Sequence, residues 1–116
     1  MYQKKGKLYN MAESRKMVSF RLRKVVMDQV MEHCKRIGQT PTEMADRAIH
    51  FYVKELDAGH IHFWSYARGE RVRWTFRMKK STLDLLVDRA GDKMTLSEFL
   101  TEALCAYYDY AHDISL

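Results

Sequence analysis

Hydrophobic and polar residues alternate strictly along two short stretches of the chain. Val18, Phe20 and Leu22 alternate with Ser19, Arg21 and Arg23, and Trp74, Phe76 and Met78 alternate with Thr75, Arg77 and Lys79. A period of two puts successive side chains on opposite faces, so each stretch predicts a strand with one apolar and one cationic, polar face. The period then lengthens. Met27, Val30, Met31 and Cys34 fall at i, i+3, i+4 and i+7, as do Leu83, Leu86, Val87 and Ala90. That spacing predicts one apolar stripe on a helix.

A second helix is signalled after each of these. Thr40 with Glu43, and Thr95 with Glu98, have the spacing of a capping box, in which each side chain bonds the other residue's backbone N–H. Pro41 stands at the first helical position, where its missing donor costs nothing. Gly38 and Gly91 lie near the ends of the preceding helices, where a left-handed residue is favoured. Met94 and Phe99 are spaced for a hydrophobic staple. The apolar sets Met44, Ala45, Ala48, Ile49 and Tyr52, and Phe99, Leu100, Ala103, Leu104 and Tyr107, supply the buried faces.

These two strand–helix–helix stretches are copies of one pattern. Phe20-Arg21-Leu22-Arg23-Lys24 overlies Phe76-Arg77-Met78-Lys79-Lys80 at an offset of 56 residues. After a one-residue deletion the offset becomes 55, and Thr40, Glu43, Ala48 and Tyr52 overlie Thr95, Glu98, Ala103 and Tyr107. One such unit, of about 42 residues, has too small a core and an unpaired strand. Two units solve both problems by pairing their strands antiparallel and interlocking their four helices. The apolar strand faces then rest on the helices, and the cationic faces are left to solvent or a ligand.

At this point the chain resembles the ribbon-helix-helix, or Arc/MetJ-type, DNA-binding family. The resemblance rests on the two strands, the two helices after each and the Thr-x-x-Glu caps, and covers about 84 of the 116 residues. It implies an α+β, mostly helical fold. Two tandem ribbon-helix-helix units would form an intramolecular pseudo-dimer with one two-stranded antiparallel ribbon and four helices, a layout similar to TraY-type proteins. The expected organisation is a basic N-terminal arm (1–14), a first unit (15–56), a linker (57–70) and a second unit (71–116), with 15–116 folding as one domain.

Charge sharpens the functional expectation. The net charge is +5, but residues 1–24 hold eight Lys/Arg against one acid, and 71–80 hold five with none. Positive charge focused in two patches suits a docked polyanion. The B-DNA major groove admits a two-stranded ribbon, and Arg and Lys reach guanine O6 and N7 while Ser and Thr bond either kind of base edge. Ser19, Arg21, Arg23, Thr75, Arg77 and Lys79 are therefore the expected base-reading set, and the resemblance assigns base readout to the same outward positions. The starts of the second helices favour a phosphate. The resemblance gives Thr40, Thr42, Thr95 and Ser97 this backbone-clamping role, alongside capping by Thr40 and Thr95. Lys24, Lys80, Arg71 and Arg73 flank the strands and are also expected on the DNA backbone. With Arg23 set against Lys79 and Ser19 against Thr75, the two halves should differ and the site should be imperfect or asymmetric.

The remaining features change the picture less. Residues 1–14 are either a tail or an arm that follows DNA. The connection 57–70 is aromatic (Phe63, Trp64, Tyr66) and is expected to pack on the core or add a short strand. His60 and His62 fall short of a metal-ligand set, and no cofactor is expected. Tyr107, Tyr108, Tyr110 and Trp74 read as packing. Asp84, Asp88, Asp92, Glu98, Glu102, Asp109 and Asp113 read as a solvated acidic face, or one that meets a neighbouring molecule. Cys34 and Cys105 read as reduced thiols. Nothing resembles catalytic machinery, a membrane span or a secretory leader, so a non-enzymatic cytoplasmic protein is expected, and the resemblance implies a prokaryotic or viral protein acting in a prokaryotic host. Its partner is double-stranded DNA, with self-association on adjacent sites as an option. The expected role is a transcriptional regulator, specifically a repressor. The alternatives are an accessory protein at a transfer or replication origin and, less favoured, an antitoxin-type interaction protein.

Overall fold

The computed structural model describes residues 14–60 and 70–115, with side chains described through Tyr108. Strand β1 (Arg15–Arg23) leads directly into α1 (Lys24–Ile37) and α2 (Pro41–Asp57). Strand β2 (Arg71–Lys79), α3 (Lys80–Ala90) and α4 (Leu96–Ser115) repeat that order. The expected N-terminal arm and most of the expected linker, including His62, Phe63, Trp64 and Tyr66, fall outside the described residues, as does the Tyr110 side chain. None of the described helices is long and apolar enough to cross a membrane.

The two strands form one antiparallel sheet with Ser19 opposite Thr75, Phe20 opposite Trp74 and Arg23 opposite Arg71. Both ends of the ribbon are closed by the following helix. Lys24 N donates to Glu70 O at 2.9 Å, and Lys80 N donates to Ser14 O at 3.0 Å. The strands begin at Arg15 and Arg71, a few residues before the alternation becomes recognisable in the sequence.

Even-numbered strand residues point inward. Phe20, Leu22, Trp74, Phe76 and Met78 are buried, with Val18 and Val72 half-buried against the same core. Phe76 stacks on Trp74 with ring centroids 4.2 Å apart and lies 5.8 Å from Phe20. Helices α2 and α4 form the centre beneath them, through Met44, Ala45, Ala48 and Ile49 on one and Phe99, Leu100, Ala103 and Leu104 on the other. Small alanines let the two backbones approach closely, and Tyr52 packs edge-on against Phe99 at 5.3 Å. The Tyr52 hydroxyl crosses the same interface to donate to Glu102 Oε1 at 2.6 Å. Burial and that carboxylate both push the phenol well above its ordinary range. Glu102 is therefore a partner within the fold, a correction to the expectation that it lies on a solvated face.

The starts of α2 and α4 and the end of α1 follow their sequence signals, whereas Gly91 after α3 takes φ 54° with ψ −137°, outside the left-handed helical region expected there. At the start of α2, Thr40 Oγ1 accepts from Glu43 N at 3.1 Å while Glu43 Oε1 accepts from Thr40 N at 3.0 Å. At α4 the same reciprocal pair joins Thr95 and Glu98, at 3.1 and 2.8 Å. Gly38 ends α1 with φ 69°, the left-handed region that a β-carbon disfavours. Tyr107 packs edge-on against Phe51, and Tyr108 against His33. Neither cysteine is in a disulfide, and burial pushes the Cys34 thiol up.

One helix face is rotated from its expected position. Along α3 the fully buried residues are Thr82, Leu86 and Ala90, whereas Val87 is exposed and Leu83 half-buried. The cause lies on α2, where Asp46 accepts a hydrogen bond from Thr82 Oγ1 and His50 Nε2 lies 3.3 Å from the same oxygen. A hydroxyl with such partners can be buried, and that turns Val87 outward.

Candidate nucleic-acid interface

Because even positions point inward, odd positions share the opposite face. Arg15, Met17, Ser19 and Arg21 on β1, and Arg71, Arg73, Thr75 and Arg77 on β2, are all exposed, with Arg23 and Lys79 partly so. Across the ribbon they form five rows: Arg15 with Lys79, Met17 with Arg77, Ser19 with Thr75, Arg21 with Arg73, and Arg23 with Arg71. Rows two residues apart are separated by about 6.8 Å along each strand, close to two base-pair steps of about 3.4 Å. All six expected base-reading residues lie in these rows.

Three features of the face differ from expectation. First, Arg23 faces Arg71 rather than Lys79, which faces Arg15. In an antiparallel pair, repeat counterparts oppose one another only at the centre and lie at opposite ends elsewhere, so only Ser19 and Thr75 can do so here. Their hydroxyls are 3.1 Å apart. Second, Arg71 and Arg73 stand on the same outward face as Arg21, with Arg73 in the row next to the centre. Third, the face is not without acid. Asp46 Oδ2 lies 3.8 Å from Lys79 Nζ and partly neutralises that end.

The starts of α2 and α4 flank opposite ends of the ribbon. A shallow cleft of about 340 Å³ at α4 is lined by Arg21, Arg23, Arg71, Thr95, Ser97, Glu98 and Thr101. A cleft of about 190 Å³ at α2 is lined by Arg15, Thr42, Glu43, Asp46, Arg47 and Lys79. Ser97 docks helix onto strand, its Oγ accepting from Arg21 N at 3.1 Å. The Thr40 and Thr95 hydroxyls act as caps. Backbone N–H bonds from these two threonines hold the Glu43 and Glu98 carboxyls below the usual range, and Arg71 adds to the effect at Glu98.

Lys24 and Lys80, just past the strands, each pair with a carboxylate one turn on: Asp28 at 2.8 Å and Asp84 at 2.9 Å. Both are exposed pairs that solvent screens, so each lysine can exchange its partner for another anion at little cost. The sequence-based site omitted Arg15, Met17 and Asp46. The first two carry a signal that could have found them, since they continue the odd phase upstream and overlie Arg71 and Arg73 at the repeat offset. Asp46 carries none, because its link to Lys79 joins separate elements.

Among the described residues, no three His, Cys, Asp or Glu side chains are grouped to hold a metal ion. His60 lies beside Glu55, its Nδ1 3.2 Å from Glu55 Oε2. No family model, curated protein or solved structure matches the chain.

Proposed function

We propose that this chain binds double-stranded DNA in a sequence-specific way, laying its ribbon in the major groove and acting as a transcriptional regulator. In this reading it is a ribbon-helix-helix protein whose two units, joined in one chain, fold as an intramolecular pair. The observation that carries the reading is the division of the ribbon. Every inward position but Lys16 is an apolar residue at the core, while the outward face presents six arginines, one lysine and a central Ser–Thr pair. A sheet face so rich in arginine has little structural purpose, since like charges side by side are unfavourable. A polyanion removes that cost and releases its own counterions.

The parts divide the work by chemistry. Arg21, Arg73 and Arg77 are nearest the centre of the ribbon and suit bidentate contact with guanine O6 and N7. The Ser19–Thr75 pair bonds the base edge at the middle of the site. Arg23, Arg71, Arg15 and Lys79 occupy the ends, where the ribbon meets the two helix starts and where phosphates would run. The helix starts beside the two clefts position the duplex without reading it.

Selection from a random duplex pool, followed by titration of the selected site and of scrambled duplex, tests this reading. The wild type is expected to enrich one sequence, and Arg21→Ala and Arg77→Ala to lose that preference along with affinity. An equal loss on every duplex would reduce those arginines to phosphate contacts, and a wild type indifferent to sequence would overturn specific recognition.

A further inference from the structure

The five outward rows carry a direction. Exchanging every residue for its repeat counterpart turns the Ser19–Thr75 row into itself. It turns the Arg15–Lys79 row into Arg71–Arg23, a change among cations. The only change of chemical kind is in the row beside the centre, where Met17–Arg77 becomes Arg73–Arg21. Met17 is 62% exposed, the most exposed of the large hydrophobic residues among those described. It stands in the odd phase of β1, facing away from a core that the even positions fill.

We infer that the ribbon lies on its duplex in one orientation only, and that Met17 is the residue that sets it. The inference rests on the duplex-DNA reading and extends it to a specificity determinant. A methionine thioether has no hydrogen to donate to guanine O6 or N7 and no charge to offer a phosphate. Its methyl and methylenes suit the C5-methyl of thymine, the apolar feature of the major groove. Arg73, at the equivalent position of the other half, suits guanine. The two halves therefore ask for different bases at matching distances from the centre, and turning the protein end for end mismatches both.

A second difference points the same way. In the half that holds Met17, Asp46 approaches Lys79 to 3.8 Å and weakens the outer row as well. The counterpart of Asp46 is Thr101, whose Oγ1 is turned to its own helix and donates to Ser97 O at 2.7 Å. The other half keeps four arginines in its two rows, with the start of α4 docked on Arg21 by Ser97. That half is the anchor, and the Met17 half is the discriminating end.

The test uses the selected site and two palindromes, each built by doubling one of its halves. The wild type is expected to prefer the asymmetric site over both palindromes by about 5- to 150-fold, the discrimination one bidentate arginine–guanine pair supplies. Met17→Arg should shift the preference to the palindrome made from the Arg21–Arg73 half. Met17→Leu should leave the asymmetric preference in place. Since Met17 is exposed, both variants are expected to unfold in urea as the wild type does. A wild type that selects a perfect palindrome, or a Met17→Arg protein with unchanged preference, would overturn the inference and leave specific DNA binding intact. Failure of the wild type to prefer any duplex would overturn both.

Discussion

Ser19 and Thr75 face one another across the ribbon with their hydroxyl oxygens 3.1 Å apart, and their separation of 56 positions along the chain equals the offset of the sequence repeat. In this chain, repeat counterparts meet across the strands only there. On the proposed reading, the pair lies on the approximate two-fold axis of the fold, over the centre of the bound site. Thr75→Val is accordingly expected to change base preference at the central step and leave both flanks unaltered. As an exposed substitution, it should shift stability by no more than about 0.5 kcal/mol. Selection of bound duplexes checks the first effect, and urea unfolding the second.

Adjacent residues of β1 should separate stability from binding. Leu22 is 1% exposed, whereas Arg21 beside it is exposed on the other face. Leu22→Ala should cost about 2–5 kcal/mol in urea unfolding, through lost transfer energy and the cavity left behind. Arg21→Ala should cost little stability and, on the proposed reading, most of the sequence preference. Equal loss of stability in the two variants would contradict the inward–outward division.

The Asp46–Thr82 bond offers a test by transplantation. In the other half the equivalent positions hold Thr101 and Val26, an arrangement already compatible with this fold. Thr82→Val alone removes the donor from the Asp46 carboxylate and should cost about 1–3 kcal/mol. Asp46→Thr with Thr82→Val replaces both partners and should recover most of that loss, as measured by a double-mutant cycle. Asp46→Asn keeps a carbonyl acceptor for Thr82 but removes the charge facing Lys79. On the proposed reading it should tighten duplex binding and steepen its salt dependence by up to about 0.9 in log–log slope.

Acid should loosen the starts of both second helices. Glu43 and Glu98 have folded-state carboxyls held below the ordinary glutamate value of 4.5 by backbone N–H bonds. A depressed folded value means the unfolded chain binds protons first. The stabilisation is therefore complete above about pH 5 and is lost as pH falls through the folded values. Glu98→Gln keeps an acceptor for Thr95 N and removes the titration, so stability should fall less steeply with acid than in the wild type. Thermal unfolding between about pH 6 and pH 3 reads the difference.

Much of the fold was legible because its determinants are local. The alternation around Phe20 and Phe76 reports which strand face is buried, and the Thr40–Glu43 and Thr95–Glu98 boxes are closed within a single turn. The rotated face of α3 was not legible. A threonine at its edge looks polar in sequence and is buried only because Asp46 and His50, from another helix, meet its hydroxyl. The same holds for Glu102, whose partner Tyr52 lies 50 residues away.

By itself, then, the sequence determined the two strands and four helices found among the described residues, which face of each strand is apolar, and that the cations gather on the other. Only the tertiary structure decided who faces whom. A period-two pattern is unchanged when one strand slides two residues past its partner, so alternation cannot set a register. Packing of Phe20, Trp74 and Phe76 over α2 and α4 selects one alignment, with Lys24 and Lys80 bonded across its ends. That alignment puts Arg23 beside Arg71, brings Asp46 to Lys79 and leaves Met17 alone among the outward rows as an apolar side chain.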